Sequence, residues 1–184
     1  MPSHVNHYFG EAIQLQIQIA DQLALRISEA ADQLSDVLTQ DGRIFLISDP
    51  STQHILQHVA ETRLLRKDQP LPTLPFIPLP QFTAPALLKS LGQTGDLLLI
   101  VQATSEFGSL SQTLQIARDL LLPIIALTGQ TSRLLSEHLR PEDLEICIPT
   151  SHSAQLHSTQ LMVLQCLCQQ IDHKLFGALP SDPL

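Results

Sequence analysis

The chain has 184 residues, 43% of them hydrophobic, and no low-complexity stretch that would separate two folding units. This suits one α/β domain over 1–184, with an N-terminal helix in 1–41, an α/β core in 42–150 and a C-terminal helix and tail in 151–184. A net charge of −8 with ten Lys and Arg excludes the phosphate-neutralising stripe that direct nucleic-acid binding requires.

The first residues, Met1 to His7, lack the basic and apolar regions of a signal peptide, and no segment is long and apolar enough to span a bilayer. A cytoplasmic protein without membrane attachment is therefore expected. From about Phe9 to Gln40 no proline intervenes, and Ile13, Ile17, Ala20, Ala24, Ile27, Ala31, Leu34 and Leu38 recur at steps of four and three. The spacing predicts one long helix, ended by Asp41 and Gly42. Strict alternation over Ala12–Ile19 also fits a strand, but the Ala and Gln content of the longer window favours helix. A second apolar edge at Leu15, Ile19 and Leu23 fits either packing between subunits or a wide core-facing stripe.

After Gly42 the pattern becomes strand, helix, strand, helix. Ile44–Ile47, Asp96–Val101, Pro123–Leu127 and Leu144–Ile148 are the short apolar runs of strands buried on both faces of a parallel sheet. Thr73–Leu79, interrupted by prolines, can only be an edge strand or an extended segment. Helices are expected at Gln53–Lys67, Ala84–Leu91, Leu110–Leu121 and Ser132–His138, giving a three-layer αβα sandwich. A last long helix over Ala154–Phe176 carries His157, Leu161, Leu164, Cys168, Ile171 and Leu175 at alternating steps of four and three, and can pair with the first helix. Gly177–Leu184 has the composition of an exposed terminus.

Cys147, Cys166 and Cys168 lie in apolar sequence and are expected to be buried free thiols of a reducing compartment. Thr128–Ser132 reads as a strand-to-helix turn with an N-cap rather than as an anion site. His54 and His58 at i, i+4, with His157, form a conceivable imidazole metal site. Without a carboxylate or thiolate partner, solvent-facing or core-bonded histidines are the better reading, so no metal and no cofactor is expected.

Gly42-Arg43-Ile44-Phe45-Leu46, Gln57-His58-Val59-Ala60, Leu91–Leu99, Ile124–Gly129 and Ile146–Thr150 follow one another in an order that resembles the sugar isomerase (SIS) fold, in its phosphoheptose isomerase branch. Glu11–Ile17 and Cys166–Phe176 are similar to the terminal helices of the branch's non-isomerase, DiaA-like members, which associate with the replication initiator DnaA. The resemblance implies a phosphosugar-binding fold with a five-stranded parallel sheet, and a homotetramer held by the terminal helices.

The departures fall where such a family does its chemistry. Its first phosphate loop, Gly-Asn-Gly-Gly-Ser-Ala, reads here Ser48-Asp49-Pro50-Ser51-Thr52-Gln53, and its second, Ser-Thr-Ser-Gly-Asn-Ser, reads Gln102-Ala103-Thr104-Ser105-Glu106-Phe107. Hydroxyls remain at Thr52, Thr104 and Ser105 for a ligand, but Asp49 and Glu106 replace neutral asparagines and would repel a phosphate. Of the isomerase positions His58 is kept, while Thr62 stands for a Glu, His157 for a Gln and Gln165 for a His. Glu61 is one residue out of register, about 100° around the helix. No positioned base for an enediol-type isomerisation remains, and the polar segment such proteins insert between Leu79 and Ala84 has no counterpart.

The expectation is therefore a non-catalytic DiaA-like homotetramer that binds the N-terminal domain of DnaA, or another protein, through Leu175 and Phe176 at the exposed end of the last helix, promoting assembly of the initiator at the origin. The alternative is a phosphoheptose isomerase-like enzyme or sugar-phosphate-binding regulator with a rearranged pocket. It would use His58, His157, Thr52 and Thr104 with water or an added metal.

Overall fold

Strands made of Leu, Ile and Val with no polar interruption leave no face for water, and a parallel sheet covered on both sides is the arrangement that buries them. In a computed structural model that describes residues 2–65 and 71–177, every residue of β1 (Ile44–Ser48), β3 (Leu97–Val101) and β4 (Ile124–Gly129) is buried. With β2 (Phe76–Pro78) and β5 (Leu144–Ile148) they form one parallel sheet in the order β2-β1-β3-β4-β5. The proline-interrupted segment is indeed an edge strand, pairing Phe76 to Pro78 with Ile44 to Leu46.

The helices are α1 (Pro2–Gln22), α2 (Ala24–Thr39), α3 (Gln53–Leu65), α4 (Ala84–Leu91), α5 (Gly108–Asp119), α6 (Arg133–Ser136) and α7 (Ser153–Phe176). Alternate strand residues divide the core into two halves. Ile44, Leu46, Leu97, Leu99, Ile125 and Leu127 pack with α1, α2, α3 and α7. Phe45, Ile47, Leu98, Ile100, Ile124 and Ala126 pack with α4, α5 and α6. Each such Leu or Ile contributes about 2 kcal/mol by leaving water, which fixes the register of the sheet as firmly as its hydrogen bonds do. The three-layer α/β sandwich is therefore as the sequence predicts.

Two expectations change, and one point left open between two alternatives is decided. The long N-terminal helix breaks at Leu23 (φ −111°, ψ −5°), although Leu23 N–H donates to Ile19 O and Ile27 N–H to Leu23 O, both at 2.9 Å, so the path continues. The two apolar edges of α1 also have different surroundings. Leu15 and Ile19, the extra edge, are buried in this chain's own core, whereas Ile13 and Ile17 are 58% and 49% exposed together with Val5, Tyr8 and Phe9. Finally, Cys147 is exposed on β5 and Cys166 half-buried, leaving Cys168 as the buried thiol. Cys147 shares with Glu145 the less buried face of this edge strand, whose other face carries Leu144, Ile146 and Ile148 into the core.

Asp41, at φ 59°, takes the left-handed turn after α2. Gly42 is needed for closeness, because a Cβ there would lie 2.3 Å from Gly95 O. The expected end of α3 at residues 66 and 67, and the tail from residue 178 on, lie outside the described residues. No helix among the described residues is long and apolar enough to cross a membrane.

Candidate functional site

The strand order reverses direction between β1 and β3: the chain leaves β1 for β2 on one side and then returns to β3 on the other. A crevice opens at the carboxyl ends of strands at such a point, flanked here by the loops after β1 and β3.

Asp49, the first residue after β1, is buried between these two loops, 1% exposed. Its Oδ1 accepts from Ser51 N–H (2.9 Å), Ser51 Oγ (2.6 Å), Thr52 N–H (3.1 Å) and Thr52 Oγ1 (3.1 Å). Its Oδ2 accepts from the N–H groups of Ala103 (2.7 Å) and Thr104 (2.9 Å). Burial pushes the carboxyl up, but the hydrogen bonds from Ser51, Ala103, Thr104 and Thr52 outweigh it and hold Asp49 below its ordinary value.

The second loop is held from behind. Thr131 Oγ1 donates to Ala103 O at 2.9 Å, Ser132 Oγ to Gln102 O at 3.2 Å and Gln160 Nε2 to Gln102 O at 3.0 Å. Ser132 thus stands at the start of α6 as expected, yet its hydroxyl serves the neighbouring loop and makes no cap bond.

Of the hydroxyls expected to meet a ligand, Thr52 is fully buried, and its single hydroxyl hydrogen is shared between two acceptors at 3.1 Å, Asp49 Oδ1 and Val101 O. Thr104 is half-buried, its Oγ1 accepting from Glu106 N–H at 3.4 Å, and Ser105 and Glu106 are exposed. The pair of carboxylates expected to face a phosphate is therefore one buried Asp49 and one solvent-exposed Glu106.

The isomerase positions are partly brought together. His58, Thr62 and Gln165 line a groove of about 330 Å³ between α3 and α7, with Val59, Arg63, Cys168, Gln169 and Asp172. Thr62 Oγ1 is turned to Val59 O at 2.8 Å, and Arg63 is ion-paired with Asp172. His157 does not line the groove; its Nε2 lies 3.4 Å from Ser51 Oγ and its ring centroid 6.3 Å from that of His54. Glu61 accepts from Gln57 and lines a separate depression beside β2, consistent with its turn around the helix. Among the described residues no three His, Cys, Asp or Glu side chains converge to hold a metal ion.

Leu175 and Phe176 are half-buried against the core under α7 rather than exposed. Sequence reasoning missed Arg63, Asp172 and Gln160, all on faces otherwise packed as core. An acid and an amide inside the apolar stripe of the last helix are the signal that marks the latter two.

No family model matches the chain. It is 30% identical to a phosphoheptose isomerase of Thiobacillus denitrificans over 96% of this chain and 98% of that protein. It is 31% identical to the DnaA initiator-associating protein DiaA of Citrobacter koseri over 91% and 93%. The fold matches a phosphoheptose isomerase structure from Francisella tularensis with a TM-score of 0.85 at 26% identity, covering 93% of this chain and 97% of that one. The chain belongs to the family of phosphoheptose isomerases and DiaA proteins, on the sugar isomerase (SIS) fold.

Proposed function

We propose that this chain is a non-catalytic, DiaA-like homotetrameric adaptor that binds the replication initiator DnaA through its N-terminal domain and promotes its assembly at the origin. The observation that carries this reading is the composition of the groove between α3 and α7. Thr62 and Gln165 present neutral side chains there, where the resemblance calls for a carboxylate and an imidazole, and His157 lies elsewhere. General acid–base chemistry needs groups of suitable pKa within hydrogen-bond reach of the proton they move; a hydroxyl already donated to Val59 O is not one, which leaves His58 in the groove without the carboxylate and second imidazole that the resemblance sets beside it.

The apolar stripe on α1 supports self-association, and several copies would make the attachment to DnaA multivalent, so that modest contacts give strong avidity. Leu175 and Phe176 keep part of their surface at the end of α7, beside the ion pair of Lys174 with Asp32 that ties α7 to α2. They are the proposed anchor.

Biolayer interferometry against the N-terminal domain of DnaA from the same source tests this, beside a Leu175→Ala/Phe176→Ala variant of matched oligomeric state and melting temperature. Binding that the variant loses is the expected result; no binding by the intact protein overturns the adaptor reading.

The isomerase alternative is favoured by the Thiobacillus relative. In that reading sedoheptulose 7-phosphate, with or without zinc, raises the melting temperature, because a ligand above its Kd must stabilise the state it binds. On the adaptor reading no such rise is expected.

A further inference from the structure

The depression beside β2, which Glu61 lines, has a volume of about 290 Å³. Leu56, Ala60 and Leu64 face it from α3, each four residues from the last, and Leu46 and Leu79 close it from the sheet. Gln53, Gln57 and Glu61, again four residues apart, form the next row around the helix. Two such ladders on neighbouring rows of one helix give the depression an apolar floor and a polar rim.

The connection that would have to cover this floor is too short to do so. β2 ends at Pro78 and α4 starts at Ala84, and residues 80–83 are spent on one turn, Thr83 N–H donating to Pro80 O at 3.0 Å. The aromatic side chain of that turn, Phe82, is 94% exposed and stands in water instead of lying over the floor.

The rim is made of acceptors. Gln57 Nε2 donates to Glu61 Oε1 at 3.0 Å, which leaves the Gln57 carbonyl oxygen and the carboxylate to meet an approaching donor. Glu61 is the one ionised side chain among the described residues that line the depression, so a cation is attracted there and an anion repelled. With about 30 Å³ as the share of one water in the liquid, the space holds roughly ten non-hydrogen atoms. A helix, about 10 Å across, is too wide for it, whereas the stretch of α3 from Gln53 to Leu64 rises about 16 Å and suits a linear chain.

We propose that this depression is a binding site for small linear amines, whose alkyl chain lies on the floor of Leu and Ala side chains while the ammonium head is held by Glu61 and Gln57. Neither the groove between α3 and α7 nor the end of α7 takes part, so this site and the adaptor reading stand or fall separately.

The test is a titration of the full chain with butyl-, hexyl- and octylammonium chloride, followed by the methyl resonances of Leu64 and Leu79. Leu121, 70% exposed and outside the depression, is the reference, and octanoate supplies the same chain with the opposite charge. Saturable shifts at Leu64 and Leu79 but not at Leu121 are expected. Each added methylene is expected to lower Kd about fourfold by leaving water, and octanoate to bind about tenfold more weakly than octylammonium.

Glu61→Gln is expected to erase the preference for the amine and keep the dependence on chain length. Leu64→Lys sets an ammonium one turn from Glu61 and is expected to abolish binding by occupying the rim; both positions are exposed and tolerate the change. Shifts that do not saturate, a Kd independent of chain length, or octanoate bound as tightly as octylammonium by the wild-type chain overturns the proposal. So does a Glu61→Gln variant that still prefers the amine, or a Leu64→Lys variant that binds octylammonium as the wild type does.

Discussion

With its folded carboxyl held below the ordinary carboxylate value, Asp49 contributes stability that is complete above about pH 4, near its unfolded pKa, and is lost as pH falls through the lower folded value. Asp49→Asn removes that titration. The expected result is a lower melting temperature at neutral pH, corresponding to about 2 kcal/mol, the scale of hydrogen bonds to a charged group, together with a shallower loss of stability below pH 4. Circular-dichroism melts from neutral to acid pH check it, and parallel acid limbs would remove the carboxylate from this role. The sequence shows a charge at position 49 that would repel a phosphate. It cannot show that amides of residues 103 and 104 stabilise that charge, because no periodicity links positions 54 and 55 residues apart. His157 is a similar case: its spacing along α7 is legible, but its approach to Ser51 and His54 depends on how α7 lies over α3.

At the opposite end of the sheet the elements are joined by Arg43 and Asp96. Asp96, 2% exposed, accepts from Arg43 N–H at 2.8 Å, from Arg43 Nη2 at 2.9 Å and from Gln93 N–H at 2.8 Å. Arg43 Nη2 also donates to Leu91 O at 2.7 Å, so one ion pair ties the starts of β1 and β3 to the end of α4. Removing one member of a largely buried pair strands the other, and Asp96→Ala is expected to cost about 3 kcal/mol, read from the urea midpoint at an unchanged slope. Gly42-Arg43 and Gly95-Asp96, which carry part of the family resemblance, thus serve the framework and not the crevice. Strands were legible because uninterrupted Leu, Ile and Val runs have one good solution. The break at Leu23 was not, since neither proline nor glycine marks it; nor was the choice between two apolar edges of α1, which periodicity finds but cannot assign to a neighbour.

Considered as a whole, the molecule exposes Val5, Tyr8, Phe9, Ile13 and Ile17 on α1, a contiguous stripe of the sort that soluble chains use for association. Phe9→Lys/Ile13→Lys is expected to reduce the mass found by light scattering from that of an assembly to that of the 20.3 kDa chain. A wild-type protein already at that mass would end the homotetramer reading. The borders of the sheet bear on how such assembly can proceed. β2 is three residues long and ends in Pro78, with Pro75 just before it, and proline offers no N–H to an incoming strand. On the far border, the second residue of β5 is Glu145, whose Oε1 accepts from Thr128 Oγ1 and Ser136 Oγ, both at 2.6 Å. Both margins are poor templates for strand addition. On the homotetramer reading, copies of this chain therefore join through their helices, and the folded molecule offers no border along which sheets could merge edge to edge into ribbons.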